Sequence, residues 1–341
     1  MSTASAVPET YSLEGDDAKK TLQSVGRWRL IKDSFTRFRT ADGFSHTRAA
    51  AHAAVLTAFP MLITVIGVAS VFHLESFRNV LEQTLLGLAP GPAGRLLSTA
   101  FREGSEQRGG AALLGGLIGA LVSGTFAMAQ VERGCNRIYG MVRDRKISLK
   151  LGWGLLLYVS AGVLLAIAFV LLAVGKGLEN GLAKGGGWSD TSAAVFGVLR
   201  WPAGLVVTFL ALTLIYKVSP NRRQPGATWL QTGTITATLL WTVLTAALAL
   251  YYSSSQSLGS TYGPLLGLIA ILVWAYATAL ALFFGMAFAA QLEAWRAGVP
   301  GPRTLRRYNE IVRSPDETIN LDEVPPRAEV PEPSPGLASS R

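Results

Sequence analysis

The side chains able to do chemistry are few and widely spaced in this 341-residue chain. There are three histidines, His46, His52 and His73, and a single cysteine, Cys135. One cysteine excludes an internal disulfide and a Cys-rich metal site. Carboxylates do not cluster near the histidines, so no metal centre and no cofactor are expected. The glycines form no phosphate-binding loop, and no serine stands in a Gly-x-Ser-x-Gly elbow. An enzyme, and a nuclease in particular, is therefore not expected. What does concentrate is positive charge. The turn from Tyr216 to Trp229 carries Lys217, Arg222 and Arg223 between stretches broken by Pro220 and Pro225. Loop 131–148 adds Arg133, Arg137, Arg143, Arg145 and Lys146.

Guanidinium groups bind phosphate oxygens bidentately. Arg145, Arg222 and Arg223 are thus candidate contacts for anionic phospholipid headgroups, with Trp229 placed at the same depth, its indole N–H wet. Structural ion pairs are the competing reading, because Glu132 adjoins Arg133 and Glu293 lies near Arg296 in the same basic region. Two more ionisable groups fall within apolar runs. His52 is a candidate proton relay or substrate contact, against the plainer reading of an imidazole bonded to water or a carbonyl near a helix end. Arg200 either binds an anionic headgroup or snorkels to the interface beside Trp201.

Long apolar runs must position these groups. The chain is 50% hydrophobic and only 16% charged, whereas about 25% charged is usual for a soluble domain. About 20 apolar residues cross a bilayer as a helix, and six runs qualify: 49–72, 109–130, 149–174, 193–216, 228–251 and 263–291. The fold class predicted is all-α, a membrane bundle of six transmembrane helices. Positively charged loops stay on the cytoplasmic side. With both termini and the loops after the second and fourth spans inside, 24 of the 31 Lys and Arg residues are cytoplasmic. The topology expected is N-in and C-in, and the net charge of +9 then needs no nucleic-acid partner.

The domain pattern follows. Residues 1–26 are polar and expected to be disordered, with no apolar core of a signal peptide. Residues 27–48 form an amphipathic segment whose Trp28, Ile31, Phe35 and Phe38 share a helical stripe that Leu30 leaves. It lies either on the membrane surface or against the bundle. The six-helix domain occupies 49–296, and 297–341 is a Pro-rich disordered cytoplasmic tail. Pro60 predicts a kink in the first span. Ala111, Gly115, Gly119, Ser123 and Ala127 recur at steps of four in the second span, as for close helix approach or a lined channel. Thr234, Thr238, Thr242 and Thr245 mark the fifth, with hydroxyls bonded to carbonyls four residues back or facing a cavity. The sixth run of 29 residues would measure about 43 Å, so it tilts, kinks or projects.

Several stretches in order resemble the YihY/BrkB family of bacterial inner-membrane proteins. They are the alanine-rich entry to the first span ending at Phe59-Pro60; Asn136-Arg137-Ile138-Tyr139-Gly140; and Pro220-Asn221-Arg222 with Trp229, Gly233 and Trp241. Tyr262-Gly263 and Trp274-Ala275-Tyr276 complete the set. The resemblance runs from about residue 35 to 296. His52 and Ala53 replace the family's usual aromatics. Its Gly-Ala-Glu-Leu-Asn ending of the sixth span is read here as Gly285-Met286-Ala287-Phe288-Ala289, with the polar pair lost at Ala287 and Ala289. The resemblance implies an inner-membrane location, a part in envelope integrity, and movement of lipids or small solutes. Membrane phospholipids are the expected partners, with a second copy or an envelope protein as further partners and a non-transporting structural role as the alternative.

Overall fold

The computed structural model describes residues 4–10, 12–71, 109–141, 143–174, 190–254, 264–299 and 301. His73, the connections 72–108 and 175–189, Tyr262 with Gly263, and the tail from residue 302 lie outside the described residues. The described chain is helical: α1 (Gly15–Val25), α2 (Arg27–Thr40), α3 (Gly43–Val71), α4 (Gly109–Ile138), α5 (Ile147–Phe169), α6 (Asp190–Val218), α7 (Ala227–Ser254) and α8 (Pro264–Arg296). A π turn, Val170–Val174, extends α5. Six of these helices, α3 to α8, are long and apolar enough to cross a membrane.

They form a ring. Each helix packs against the next in sequence, and α8 closes back on α3. The closest approaches are made where a side chain is missing, since small residues let backbones touch without lipid being excluded by bulk. A Cβ on Gly116 of α4 would lie 2.7 Å from the Thr64 backbone nitrogen of α3, and one on Gly119 would meet Pro60 at 3.0 Å. Of the expected stripe, Gly119 makes such a contact while Gly115 faces open space, and Gly116 makes the closer one. Gly233 of α7 and Gly285 of α8 meet in the same way, each Cβ position falling within 2.6 Å of the other's carbonyl oxygen. On α7 the threonines divide. Thr234 and Thr242 bond the carbonyls of Leu230 and Thr238 as expected, whereas the hydroxyls of Thr238 and Thr245 are buried without a partner among the described residues.

Packing is uneven along the helices. From Gly285 to Ala294 every residue of α8 is buried, while Ile271, Leu272, Val273 and Trp274 are all exposed. Four consecutive exposed residues cover a full helical turn, so that part of α8 is only loosely covered by the described residues. Other spans bury Val131, Cys135, Ile138 and Tyr139, Ile215–Tyr216 and Trp229–Leu230 near the basic loops and expose Leu117–Ile118, Val198–Leu199 and Leu250–Tyr251 away from them, whereas α5 exposes Ile147 and Leu149 at its basic end. With 33 residues, α8 spans about 50 Å and outruns an apolar slab of about 30 Å. Its last turns emerge into a collar of α1, α2 and the N-terminal segment.

That collar corrects the expectation of a disordered N-terminus. Residues 15–25 are helical, and Ser5, Val7, Leu13, Ala18 and Thr21 are buried. Backbone bonds tie the segment down, from Val7 N to Tyr139 O and from Gly226 N to Leu13 O, both at 3.1 Å. Polar composition suggested solvation; the donors for those polar groups come from remote parts of the chain. For α2 the packing against the bundle is seen on one face. Leu30, Ser34, Arg37 and Phe38 are buried against the bundle, while Trp28, Ile31 and Phe35 stay exposed on another face.

Candidate functional site

The described residues that could do chemistry gather at the basic end, where four strands of sequence meet. They are the C-terminal turn of α4 with its following loop, the turn 219–226, the end of α8, and residues 5–10. Three arginines organise the meeting. Arg145 pairs with Glu132 at 3.0 Å and donates to the carbonyls of Val218, Ser219 and Pro220. Those carbonyls end α6 and have no helical partner, and a cation there also suits the helix dipole. Arg222 pairs with Glu293 at 2.6 Å, the two side chains being 2% and 0% exposed. It also donates to the Val7 and Pro8 carbonyls and lies 4.4 Å from the Tyr139 ring centre. Arg37 donates to Gln291 Oε1 at 2.7 Å, to the carbonyls of Ser5 and Ile138, and to Ser5 Oγ. Burial lowers its guanidinium to about 10, which leaves it charged at neutral pH.

Around this frame the motif residues interlock. Asn136 accepts from the Asn221 backbone N–H at 2.8 Å and donates to Asp144. Burial alone would raise the Asp144 carboxyl; hydrogen bonds from Asn136 and Lys150, with Lys150 and Arg137 charges nearby, hold it below its ordinary value. Tyr139 donates to Gln224 Oε1 at 3.0 Å, and burial pushes its phenol well above 10. Gly140 has φ +74, the left-handed region that favours glycine, and a Cβ there would strike the Ala6 backbone at 2.7 Å. Lys217 reaches the carbonyls of Gln224 and Pro225. Pro220, Asn136, Tyr139, Gly140, Asn221, Trp229 and Gly233 thus belong to one packed junction. Trp274 does not; it sits on the exposed half of α8.

Several expectations need correction. Arg145 and Arg222 do not offer free forks to headgroups, because protein carbonyls and carboxylates already occupy them; of the three, Arg223 alone has an exposed side chain. The ion pairs are real but join other partners: Glu132 takes Arg145, Arg133 and Arg137 take Asp144, Glu293 takes Arg222, and Arg296 takes Asp17. Trp229 is fully buried with its indole N–H unpartnered among the described residues, not at a wet interface. His52 is exposed on the outside of α3 and meets no polar group of the junction. Arg200 donates to the Gly197 carbonyl and stacks 5.2 Å from the Trp201 ring centre.

Sequence reasoning missed Arg37, Gln291 and the N-terminal segment. A signal for Gln291 was present. The Ala-Glu-Leu-Asn pattern thought lost at Ala287 and Ala289 is matched one helical turn later by Ala290-Gln291-Leu292-Glu293, with acid and amide exchanged. Gln291 and Glu293 hold Arg37 and Arg222. Ala287 and Ala289 are instead fully buried packing residues. Some polar atoms of the junction stay without protein partners among the described residues: Glu132 Oε1, Glu293 Oε2, Ser219 Oγ and Gln224 Nε2.

The sequence profile described as "Virulence factor BrkB" matches residues 34–307. The chain is 23% identical over 258 residues to a putative ribonuclease-like protein, YfkH, of Bacillus subtilis, covering 75% of this chain and 92% of that protein. It is 26% identical over 247 residues to a UPF0761 membrane protein of Laribacter hongkongensis and 26% over 270 residues to one of Alcanivorax borkumensis. It spans 56% and 60% of those two proteins' lengths. No solved structure matches.

Proposed function

Since the chain belongs to the virulence factor BrkB family, whose match takes in all six spans, we propose that it moves lipids or small solutes across a bacterial inner membrane and so supports envelope integrity. The observation that carries this reading is the gradient of packing along the ring. At the basic end the helices are tied together by Arg37, Arg145, Arg222 and their partners; at the far end α8 exposes Ile271–Trp274, and Leu117, Ile118, Val198 and Leu250 of other spans are exposed as well. A ring closed at one end and loose at the other suits alternating access, in which one closure opens as the other forms. The partly satisfied polar atoms of the junction are the kind of groups that exchange partners when such a closure opens, since a buried unpaired donor or acceptor is costly.

The test is reconstitution in vesicles carrying a fluorescent short-chain phosphatidylglycerol in both leaflets. Wild-type protein should speed the loss of inner-leaflet fluorescence to an external reductant relative to empty vesicles. No acceleration, for this lipid or for trapped small solutes, would remove the transport reading. The second reading, a structural envelope protein, draws on the same bare helix turns, which a partner or second copy would cover; crosslinking from Ile271→Cys to one protein band would favour it.

The orientation proposed is N-in and C-in, from the bias of Lys and Arg. Cysteines at Arg223 and Gln23 should react with a membrane-impermeant reagent only from the cytoplasm, and one at Ser257 only from outside. Cys135, fully buried, should react from neither side. Nuclease activity is not proposed for this chain, although one relative's name is ribonuclease-like. Glu132 and Glu293 are each engaged by an arginine, which makes them structural partners rather than a base for water attacking a phosphodiester. RNA cleavage by purified protein that fell on mutation of Glu132 or Glu293 would overturn this.

A further inference from the structure

Helix α2 has two faces with different partners. One face is settled inside the protein: Leu30 and Phe38 are fully buried, Arg37 is bonded to Gln291 and Ser5, and Ser34 is covered. The other carries Trp28, Ile31 and Phe35, three large apolar side chains that all remain exposed, Trp28 to 85%. At about 100° per residue they fall within one narrow stripe. Burying such side chains is strongly favourable, so a stripe left open beside a membrane-crossing helix needs an occupant.

Continuity with the lipid-facing surface identifies that occupant. The Phe35 ring packs edge-on against Phe44 in the first turn of α3, with centroids 6.4 Å apart. Phe44 itself is exposed and begins an exposed row that runs in steps of four through Arg48 and His52 to Leu56, and on to Phe59 and Ile63. That row lies in a membrane-crossing segment, so the α2 stripe is its extension beyond the helix mouth. Charge agrees with the placement. Lys32 and Arg39 border the stripe on the side away from the bundle and are exposed, as is Arg48 a turn beyond Phe44. The acid on this helix, Asp33, is turned to the Trp295 N–H instead. Apolar rings beside uncompensated cations match the boundary between acyl chains and anionic headgroups.

We propose that α2 is a membrane-surface helix, with Trp28, Ile31, Phe35 and Phe44 inserted among the acyl chains at the basic end and Lys32 and Arg39 held by anionic phospholipid headgroups. It requires no transport activity and would stand if the transport reading fell. The helix is thus a fixed spacer: one face grips the end of α8 through Arg37 and the opposite face sets the depth of that end in the bilayer.

The experiment uses full-length protein carrying Cys135→Ala, reconstituted in vesicles of phosphatidylcholine alone or mixed with phosphatidylglycerol. Nitroxide labels are attached singly at positions 28, 31 and 35, and at Gln23 on the exposed face of α1. At 28, 31 and 35, collisions with dissolved oxygen should exceed those with a water-soluble nickel chelate several-fold, with the reverse at 23. Equal nickel access at all four positions would overturn the proposal, and so would shielding from both reagents, which would mean a protein partner. Lys32→Gln/Arg39→Gln should make the label at 28 shallower in the phosphatidylglycerol vesicles and leave it unchanged in phosphatidylcholine. An unchanged depth in both would overturn the headgroup contact.

Discussion

The two ends of α8 lead opposite lives, and the more apolar end is the exposed one. Near Trp274 the side chains are Ile, Leu, Val and Trp, and all face outward from the protein. From Ala275 onward alanine recurs, with Gly285 at the tightest crossing, and the helix disappears into the bundle. In a membrane, lipid solvates bulky apolar residues as well as protein does, so apolarity does not decide what is buried. Size does. Small residues admit a neighbouring backbone, and once backbones are close, polar groups such as Gln291 and Glu293 find partners over a short reach.

The sharpest way to break this comparison is at the Arg222–Glu293 pair. Glu293→Leu alone strands a buried guanidinium and should cost about 3–5 kcal/mol, while Arg222→Met/Glu293→Leu should recover much of it, because no charge is left unpaired. Thermal unfolding of the four proteins in detergent measures the cycle. A loss in the double variant equal to the sum of the two single losses would mean that the pair is not coupled.

Next in size comes the glycine crossing. Gly285→Ala drives a Cβ to 2.5 Å from the Gly233 carbonyl oxygen and the Tyr216 hydroxyl. Overpacking of this kind costs about 1–3 kcal/mol, so the unfolding midpoint should fall clearly.

A smaller effect is expected from pH. The Asp144 carboxyl is held below its ordinary 3.8 by the hydrogen bonds and charges around it. A depressed carboxylate stabilises the fold above its unfolded pKa and loses that contribution as pH falls through the folded value. Asp144→Asn should therefore unfold earlier than wild type at neutral pH, and the gap should close as the pH drops below 3.8. A constant gap would mean that shape rather than charge is at stake. The least effect belongs to the bare half: Ile271→Ala should change stability by about 0.5 kcal/mol or less. A large loss there would show that the exposed turn is covered by another copy.

Much of this protein was legible from order along the chain. Six apolar runs and their basic ends define the spanning helices, because each helix satisfies its own backbone in lipid and needs no distant partner. The stops at Pro220 and Pro225, and the meeting of Asn136, Tyr139, Gly140 and Asn221 in one motif set, are local or shared by resemblance. What only the tertiary structure decided is who pairs with whom. Glu132 passes over adjacent Arg133 for Arg145, Glu293 passes over nearby Arg296 for Arg222, and Arg37 reaches Gln291 across 254 positions. On α4 Gly116 rather than Gly115 joins Gly119 at the contact with α3, and the polar N-terminus is ordered. Each depends on the angle and depth at which helices meet, and a residue's type and spacing fix neither. Hydrogen bonds are short and directional, so a guanidinium binds whichever acceptor the packed backbones bring within about 3 Å.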